Sequence, residues 1–328
     1  MRSLGSPCHS NECTFHQRDC SGFEGERHGR RTCRQFVGLR LHPSVKKMRH
    51  AYMLMLALLL TQPEGVSLGA ETGHTGMVVP ILVYHRVGEV VADTMTVKTS
   101  VFASHLAYLH ANGYTVISLR RLIAYIEGEA PPPPARSVVI TADDGHKSVF
   151  TDVYPLISRY HIPVTLFIYP SAISNAKYAM TWQQLREMRD SGLVDIQSHT
   201  YWHPNFKHEK ERLPVKDYEK FVGMQMTKSK EVLEQRLGGH VDMLAWPFGI
   251  YDDELINNAR QLGYIAGFTL ERRHAGRSDN LMALPRYLIT NEVQGASFGK
   301  LLELPSRQGT GENNARSSRS LRDTKGKR

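Results

Sequence analysis

The run Val138-Val139-Ile140, entered after four consecutive prolines (Pro131 to Pro134) and closed by Gly145, constrains this chain more than any other stretch. β-Branched residues in a short apolar run between turn-formers specify a strand covered on both faces, and such a strand needs helices on either side of a parallel sheet. Thr141 and Ala142 then lead into two adjacent acids, Asp143 and Asp144. Carboxylates are seldom buried without a partner. At the carboxyl end of a parallel strand, where α/β folds bind ligands, an acid pair faces a site. As an ordinary strand-to-helix turn it would supply only a helix N-cap.

The remaining pattern agrees with a parallel sheet. Met77 to Tyr84 reads as a first strand that delivers His85 at its end, and Phe102, Leu106 and Leu109 recur at helical spacing. Tyr114 to Ser118, Val164 to Tyr169, Val194 to Ser198, Asp242 to Ala245, Ile265 to Leu270 and Met282 to Thr290 read as further strands. Helical stretches such as Leu213 to Leu237 stand between them. Strand and helix alternate without an internal repeat, so the expected fold is a single α/β unit, most simply a β/α barrel. An open doubly wound sheet is the alternative, but no Gly-rich loop follows the first strand to mark a dinucleotide site.

His199 and His203 follow the predicted strand Val194 to Ser198, and their four-residue spacing on one helical turn would point both imidazoles the same way. Two His and one carboxylate make the three-ligand set of a catalytic zinc-type site with one position open. Singly, each is more simply a hydrogen-bonded or surface histidine.

The formal charge of +9 would suggest a polyanionic partner, but it belongs to the chain ends. Residues 1 to 47 carry nine Lys/Arg against four Asp/Glu, and residues 305 to 328 carry seven against two. Neither end stands beside a recognition module, so no nucleic-acid partner is expected. All four cysteines (Cys8, Cys13, Cys20, Cys33) fall in residues 1 to 47 with no Cys-x2-Cys pair, which argues against a zinc knot. From Met48 the order Arg49, His50, an apolar run Ala51 to Leu60, Pro63 and small residues at Ser67 and Gly69 is that of a secretory signal, too short to span a bilayer well. The expected organisation is an over-extended or disordered segment at 1–47, a signal peptide at 48–69, the working domain at 70–304 and a basic tail at 305–328. The protein would then be exported, periplasmic or secreted, with no membrane span in the mature chain.

Together, Thr141 to Gly145, the His199/His203 pair and the Pro247-Phe248-Gly249 turn resemble the polysaccharide deacetylase family, also called the NodB-homology or carbohydrate esterase 4 family. The resemblance covers roughly Val78 to Thr290. It implies a distorted (β/α) barrel and metal-dependent removal of acetyl groups from acetylated sugars. Carried over, it makes Asp144, His199 and His203 the ligands of a divalent metal, zinc first, with cobalt, nickel or iron as alternatives. It makes Asp143 the general base that takes a proton from the attacking water.

Three departures from the family pattern matter. The acid of many members is a His in a Leu-x-His motif near the end, but here Leu284-Pro285-Arg286 stands there and no His follows His274. Pro80 to His85 instead resembles the poly-N-acetylglucosamine deacetylase branch, where the acid His sits on the first strand, which points to His85. The residue before the acid pair, commonly Phe, is Ala142. Where many members have an Arg two residues before the motif Pro, this chain has Ala245; Arg286 is the expected substitute that orients Asp143. Trp246, Pro247, Phe248, Tyr201 and Trp202 are candidate substrate-binding residues, the aromatics as sugar-stacking walls. The resulting expectation is an exported polysaccharide N-deacetylase acting on poly-N-acetylglucosamine or a related amino-sugar polymer. A catalytically inactive glycan-binding relative and an amidase of small non-sugar amides are the alternatives.

Overall fold

The computed structural model describes residues 76–303. The segment 1–47, the expected signal at 48–69 and the basic tail from 305 lie outside the described residues. In chain order, β1 (Val78–Val79) and β2 (Ile81–Tyr84) precede β3 (Arg86–Gly88), β4 (Thr96–Lys98), α1 (Thr99–Ala111), β5 (Thr115–Val116), α2 (Leu119–Glu127) and β6 (Ser137–Asp143). A π-helical turn over Val149–Val153 runs into α3 (Tyr154–Arg159), then β7 (Val164–Ile168), α4 (Trp182–Asp190), β8 (Val194–Ser198), α5 (Phe206–Arg212) and α6 (Val215–Leu237). The last elements are β9 (Met243–Ala245), α7 (Asp253–Gln261), β10 (Ala266–Phe268), β11 (Ala275–Gly276), β12 (Tyr287–Leu288) and α8 (Ala296–Leu302).

The main sheet runs β10-β9-β8-β7-β6-β2-β12, with β5 also on β6, and every pairing in it is parallel. The two ends of this path meet. Leu284, just ahead of β12, bridges to Phe268 of β10, and its N–H donates to the Gly267 carbonyl at 2.8 Å. The sheet is therefore curled into a barrel whose last seam is a single bridge, the distorted (β/α) barrel expected from the alternation.

Two apolar cores follow from the period-2 alternation of the strands. Ile81, Val139, Phe167, Ala245 and Phe268 fill the inside of the barrel. Leu82, Tyr84, Ile140, Ala142, Leu166 and Ile168 face outward against the helices. The alternation sends Thr141 and Asp143 to the same inner face as Val139. Ala142, on the outer face, is in register with Tyr84, whose ring packs edge-on against Phe102 at 5.1 Å, so a large and a small side chain share that layer.

The strands are shorter than their apolar runs suggest. Pro80, which has no N–H to donate, separates β1 from β2, and the stretch Met282 to Thr290 holds only the two-residue β12 after a 3₁₀ turn at Leu281–Ala283. Closure at the seam also depends on Gly267. A Cβ there would fall inside contact distance of the Met282 carbonyl and of the Trp246 indole nitrogen, which donates to that carbonyl at 2.8 Å. Gly267→Ala is expected to lower stability by about 1–3 kcal/mol through overpacking. Thermal unfolding of the two proteins checks this, and an unchanged melting temperature would show that the indole has room to move.

Candidate active site

The candidate residues gather at the carboxyl ends of the central strands: His85 after β2, Asp143 and Asp144 at the end of β6, Tyr169 after β7, and His199 after β8. Asp143 is the last inward-facing residue of β6 and is 1% exposed. Alternation alone would turn Asp144 to the opposite face. Instead Asp144 takes a left-handed backbone (φ 72°), followed by Gly145 (φ 76°), and the two carboxylates end up around the same imidazole. His199 Nε2 lies 3.8 Å from Asp143 Oδ2 and 3.7 Å from Asp144 Oδ1. Gly145 is required for more than its φ, because a Cβ there would crowd the Ile168 and Ile173 side chains.

The His pair is brought together differently from the sequence expectation. Residues 199–205 form a loop and not a helical turn; helix α5 begins only at Phe206. Thr200 and His203 both have φ near the left-handed region, at 63° each, and these reversals return His203 toward His199, ring centres 4.5 Å apart. His203 Nε2 is 3.8 Å from Asp144 Oδ1.

Asp144, His199 and His203 each direct one donor atom so that the three lie within 4.8 Å of one another. Donors bound tetrahedrally at ~2.1 Å from one ion stand about 3.4 Å apart, and Asp144 Oδ1 lies 3.7 and 3.8 Å from the Nε2 atoms of His199 and His203. The chemistry of the set also fits. His199 Nδ1 donates to the Ala245 carbonyl at 2.7 Å, which leaves its Nε2 as a lone pair facing the other two donors. Burial lowers the His203 pKa to about 4, so its imidazole is neutral and able to coordinate.

Arg286 pairs with Asp143. Its Nη1 and Nη2 donate to Oδ1 and Oδ2 at 2.8 Å each, and its Nε donates to the Thr269 carbonyl at 3.1 Å. The guanidinium is fully buried and lies over the Phe167 ring, 5.3 Å from its centre. Burial alone would raise the Asp143 pKa, but the charge of Arg286, helped by His199, outweighs it and holds the carboxyl at about 2. His85 is nine-tenths buried with no hydrogen-bond partner on Nδ1. Burial lowers its pKa, and the carboxylates of Asp143 and Asp144 oppose that shift.

Two of the candidate substrate-binding positions are buried. Trp246 is fully buried, its indole committed to the Met282 carbonyl, and Pro247 is buried beside it, so neither can touch a substrate. Both are held inside because Trp246 closes the seam against Gly267. Phe248, at φ 57°, is thrown outward from that buried base; it is 56% exposed and 4.6 Å from the His203 ring. Trp202 is half exposed and rests on Phe221, and Tyr201 lies under the Lys228 ammonium. Tyr169, 5.5 Å from His203, was not a sequence candidate, because nothing in an apolar strand end separates a site tyrosine from a core one.

The sequence profile described as Polysaccharide deacetylase matches residues 130–267, a stretch that holds both acids, both histidines and the 247–249 turn. In that stretch the chain is similar to the polysaccharide deacetylases. Among deacetylase-family relatives, the Bacillus subtilis protein YxkH is 28% identical over 224 residues, covering 68% of this chain and 76% of that one. The poly-β-1,6-N-acetyl-D-glucosamine N-deacetylase of Escherichia coli is 29% identical over 263 residues, 69% of this chain but only 38% of the larger protein. The Staphylococcus epidermidis protein of the same description is 27% identical over 197 residues, covering 58% of this chain and 67% of that one. In fold, the chain is similar to the Streptococcus pyogenes deacetylase PplD solved with acetate (TM-score 0.62, 23% identity, 70% of this chain and 100% of that chain). It is also similar to IcaB from Ammonifex degensii (TM-score 0.60, 23% identity, 69% of this chain and 97% of that chain). These likenesses indicate a polysaccharide deacetylase, a class of hydrolase acting on carbon-nitrogen bonds other than peptide bonds.

Proposed function

We propose that this chain is an exported, metal-dependent N-deacetylase of poly-N-acetylglucosamine or a closely related amino-sugar polymer. The observation that carries the reading is the unequal environment of two neighbouring carboxylates: Asp143 is locked by Arg286 and kept ionised, while Asp144 faces the Nε2 atoms of His199 and His203. Asp144, His199 and His203 would hold the cation, zinc in the first instance. A divalent ion there supplies a Lewis acid for the acetyl carbonyl and lowers the pKa of a water at neutral pH.

The chain's own groups do the proton work. Asp143, with both oxygens fixed by the guanidinium, accepts the proton of the attacking water; Oδ2, the oxygen toward His199, is the one that faces the donor set. Arg286 keeps that carboxylate from rotating toward Asp144, so Asp143 serves as base and not as a further ligand. His85, on the neighbouring strand end, delivers a proton to the departing amine, and the two carboxylates beside it favour its charged form against the cost of burial. The branch is supported by the position of this His directly after β2 and by the described relatives in E. coli and S. epidermidis. Export rests on the signal-like order of residues 48–69. Among the described residues, no helix is long and apolar enough to cross a membrane.

Acetate release from N-acetylglucosamine oligomers tests the function. Chelator dialysis is expected to lower the rate about a hundredfold, with recovery on adding zinc or cobalt. A chain that carries stoichiometric metal yet releases no acetate from any glycan would instead be the inactive, glycan-binding relative.

A further inference from the structure

The site has a second flank that the family motifs do not cover. The 13-residue stretch 169–181 follows β7, and its far end is stitched to the loop after the acid pair: Lys147 N–H donates to the Tyr178 carbonyl at 2.8 Å and Met180 N–H to the Gly145 carbonyl at 2.9 Å. His146 and Ala179 form an antiparallel bridge between them. This sets Tyr178 beside His146, ring planes within 8° and centres 6.2 Å apart. The Tyr178 and Tyr169 hydroxyls are 2.7 Å apart, and Tyr169 in turn touches His203. In the strand order, these residues stand at β6 and β7, whereas Phe248 follows β9, so the two aromatic groups lie on opposite sides of the histidines delivered by β8.

The hydrogen bonds fix what this flank offers. Ser148 Oγ accepts the Val87 N–H at 3.1 Å, so its own hydrogen is free for His146 Nδ1, 2.8 Å away. The Ser148 N–H also points at Nδ1, at 3.2 Å. His146 Nδ1 is therefore an acceptor, and in the neutral ring Nε2 carries the proton. No described residue accepts from Nε2. Of the two tyrosine hydroxyls, one donates to the other and one hydrogen remains. The flank thus presents an exposed phenol face (Tyr178, 42% exposed), one imidazole N–H and one phenolic O–H. A pyranose, with an apolar face ringed by hydroxyl oxygens, matches an aromatic face with donors at its edge.

We propose that Tyr178, His146 and Tyr169 form a subsite for the sugar adjoining the acetylated unit, Tyr178 packing against its ring and His146 Nε2–H donating to one of its hydroxyls. The inference rests on the polysaccharide reading above. It makes the enzyme select polymer over monomer by binding on the β6–β7 side, and it makes Tyr178 a specificity residue with no part in the proton transfers.

The test compares kcat and KM of wild type, Tyr178→Ala, Tyr178→Phe and His146→Leu on a β-1,6-linked N-acetylglucosamine pentamer and on a small aryl acetate ester. In Tyr178→Ala the ratio of pentamer to ester kcat/KM is expected to fall about tenfold, mostly through KM. Tyr178→Phe should retain most of the ratio, because the ring face remains. His146→Leu, which has no donor, should lower the ratio about threefold, as loss of one hydrogen bond would. If ester and pentamer activities fall together, the flank merely props the metal site and the subsite is wrong. If wild type deacetylates the pentamer and the variants keep its KM, the subsite alone is overturned. A wild type that hydrolyses the ester but releases acetate from no glycan overturns the polysaccharide reading itself.

Discussion

Asp143→Asn is expected to keep the metal and lose the rate, by about 10²–10⁴-fold in kcat, whereas Asp144→Asn loses metal and activity together. The two residues are chemically identical neighbours, so the difference tests position alone. Asparagine at 143 keeps the shape and can still accept one hydrogen bond from Arg286, but it cannot take a proton from water. Removing that charge also leaves the guanidinium of Arg286 buried against a neutral partner, which costs stability. The variant must therefore be assayed below its own melting temperature. At 144 the same change removes the only anionic donor from the Asp144, His199, His203 set. Metal content by elemental analysis, read beside kcat on the same samples, decides the matter. Equal loss of metal in both variants would end the division of labour.

Arg286→Met is expected to be the most destabilising single change at the site, by about 3–5 kcal/mol, because it strips the partner from a fully buried carboxylate. Lysine should rescue little. An ammonium cannot present the two parallel donors that meet Oδ1 and Oδ2, nor reach the Thr269 carbonyl at the same time. Urea unfolding of Arg286→Met, Asp143→Asn and the double variant measures the coupling. The double variant should be more stable than the sum of the single losses predicts, since removing both charges removes the uncompensated one. Strict additivity would mean that the pair contributes nothing beyond its separate packing.

The pairing of Arg286 with Asp143 was legible because the family pattern has a cation near the motif proline and Ala245 does not supply one. Its geometry was not. Arg286 and Asp143 are joined only when Leu284 bridges to β10 and Tyr287 pairs with β2, which closes the ring and swings Arg286, one of the two residues between them, inward. Ala245 meanwhile acquires a different use, its carbonyl holding His199 Nδ1. Trp246 shows the opposite error. Adjacent to a motif turn it reads as a substrate wall, yet the absence of a side chain at Gly267 opens a slot that takes the indole indoors.

The sequence by itself determined that the chain is a parallel α/β fold with an acid pair at a strand end and two histidines at the next strand but one. Period-2 alternation and short β-branched runs are local properties, written into consecutive residues. The alternation even places Asp143 on the same inner face as Val139 and Thr141. Only the tertiary structure decided that Asp144 turns back to join it, that a loop with two left-handed residues and not a helix aims His203, and that Tyr169, Tyr178 and His146 share a flank. Those outcomes depend on backbone reversals and on contacts between segments far apart in the chain. Such contacts are chosen by how the barrel closes, and no local pattern records that.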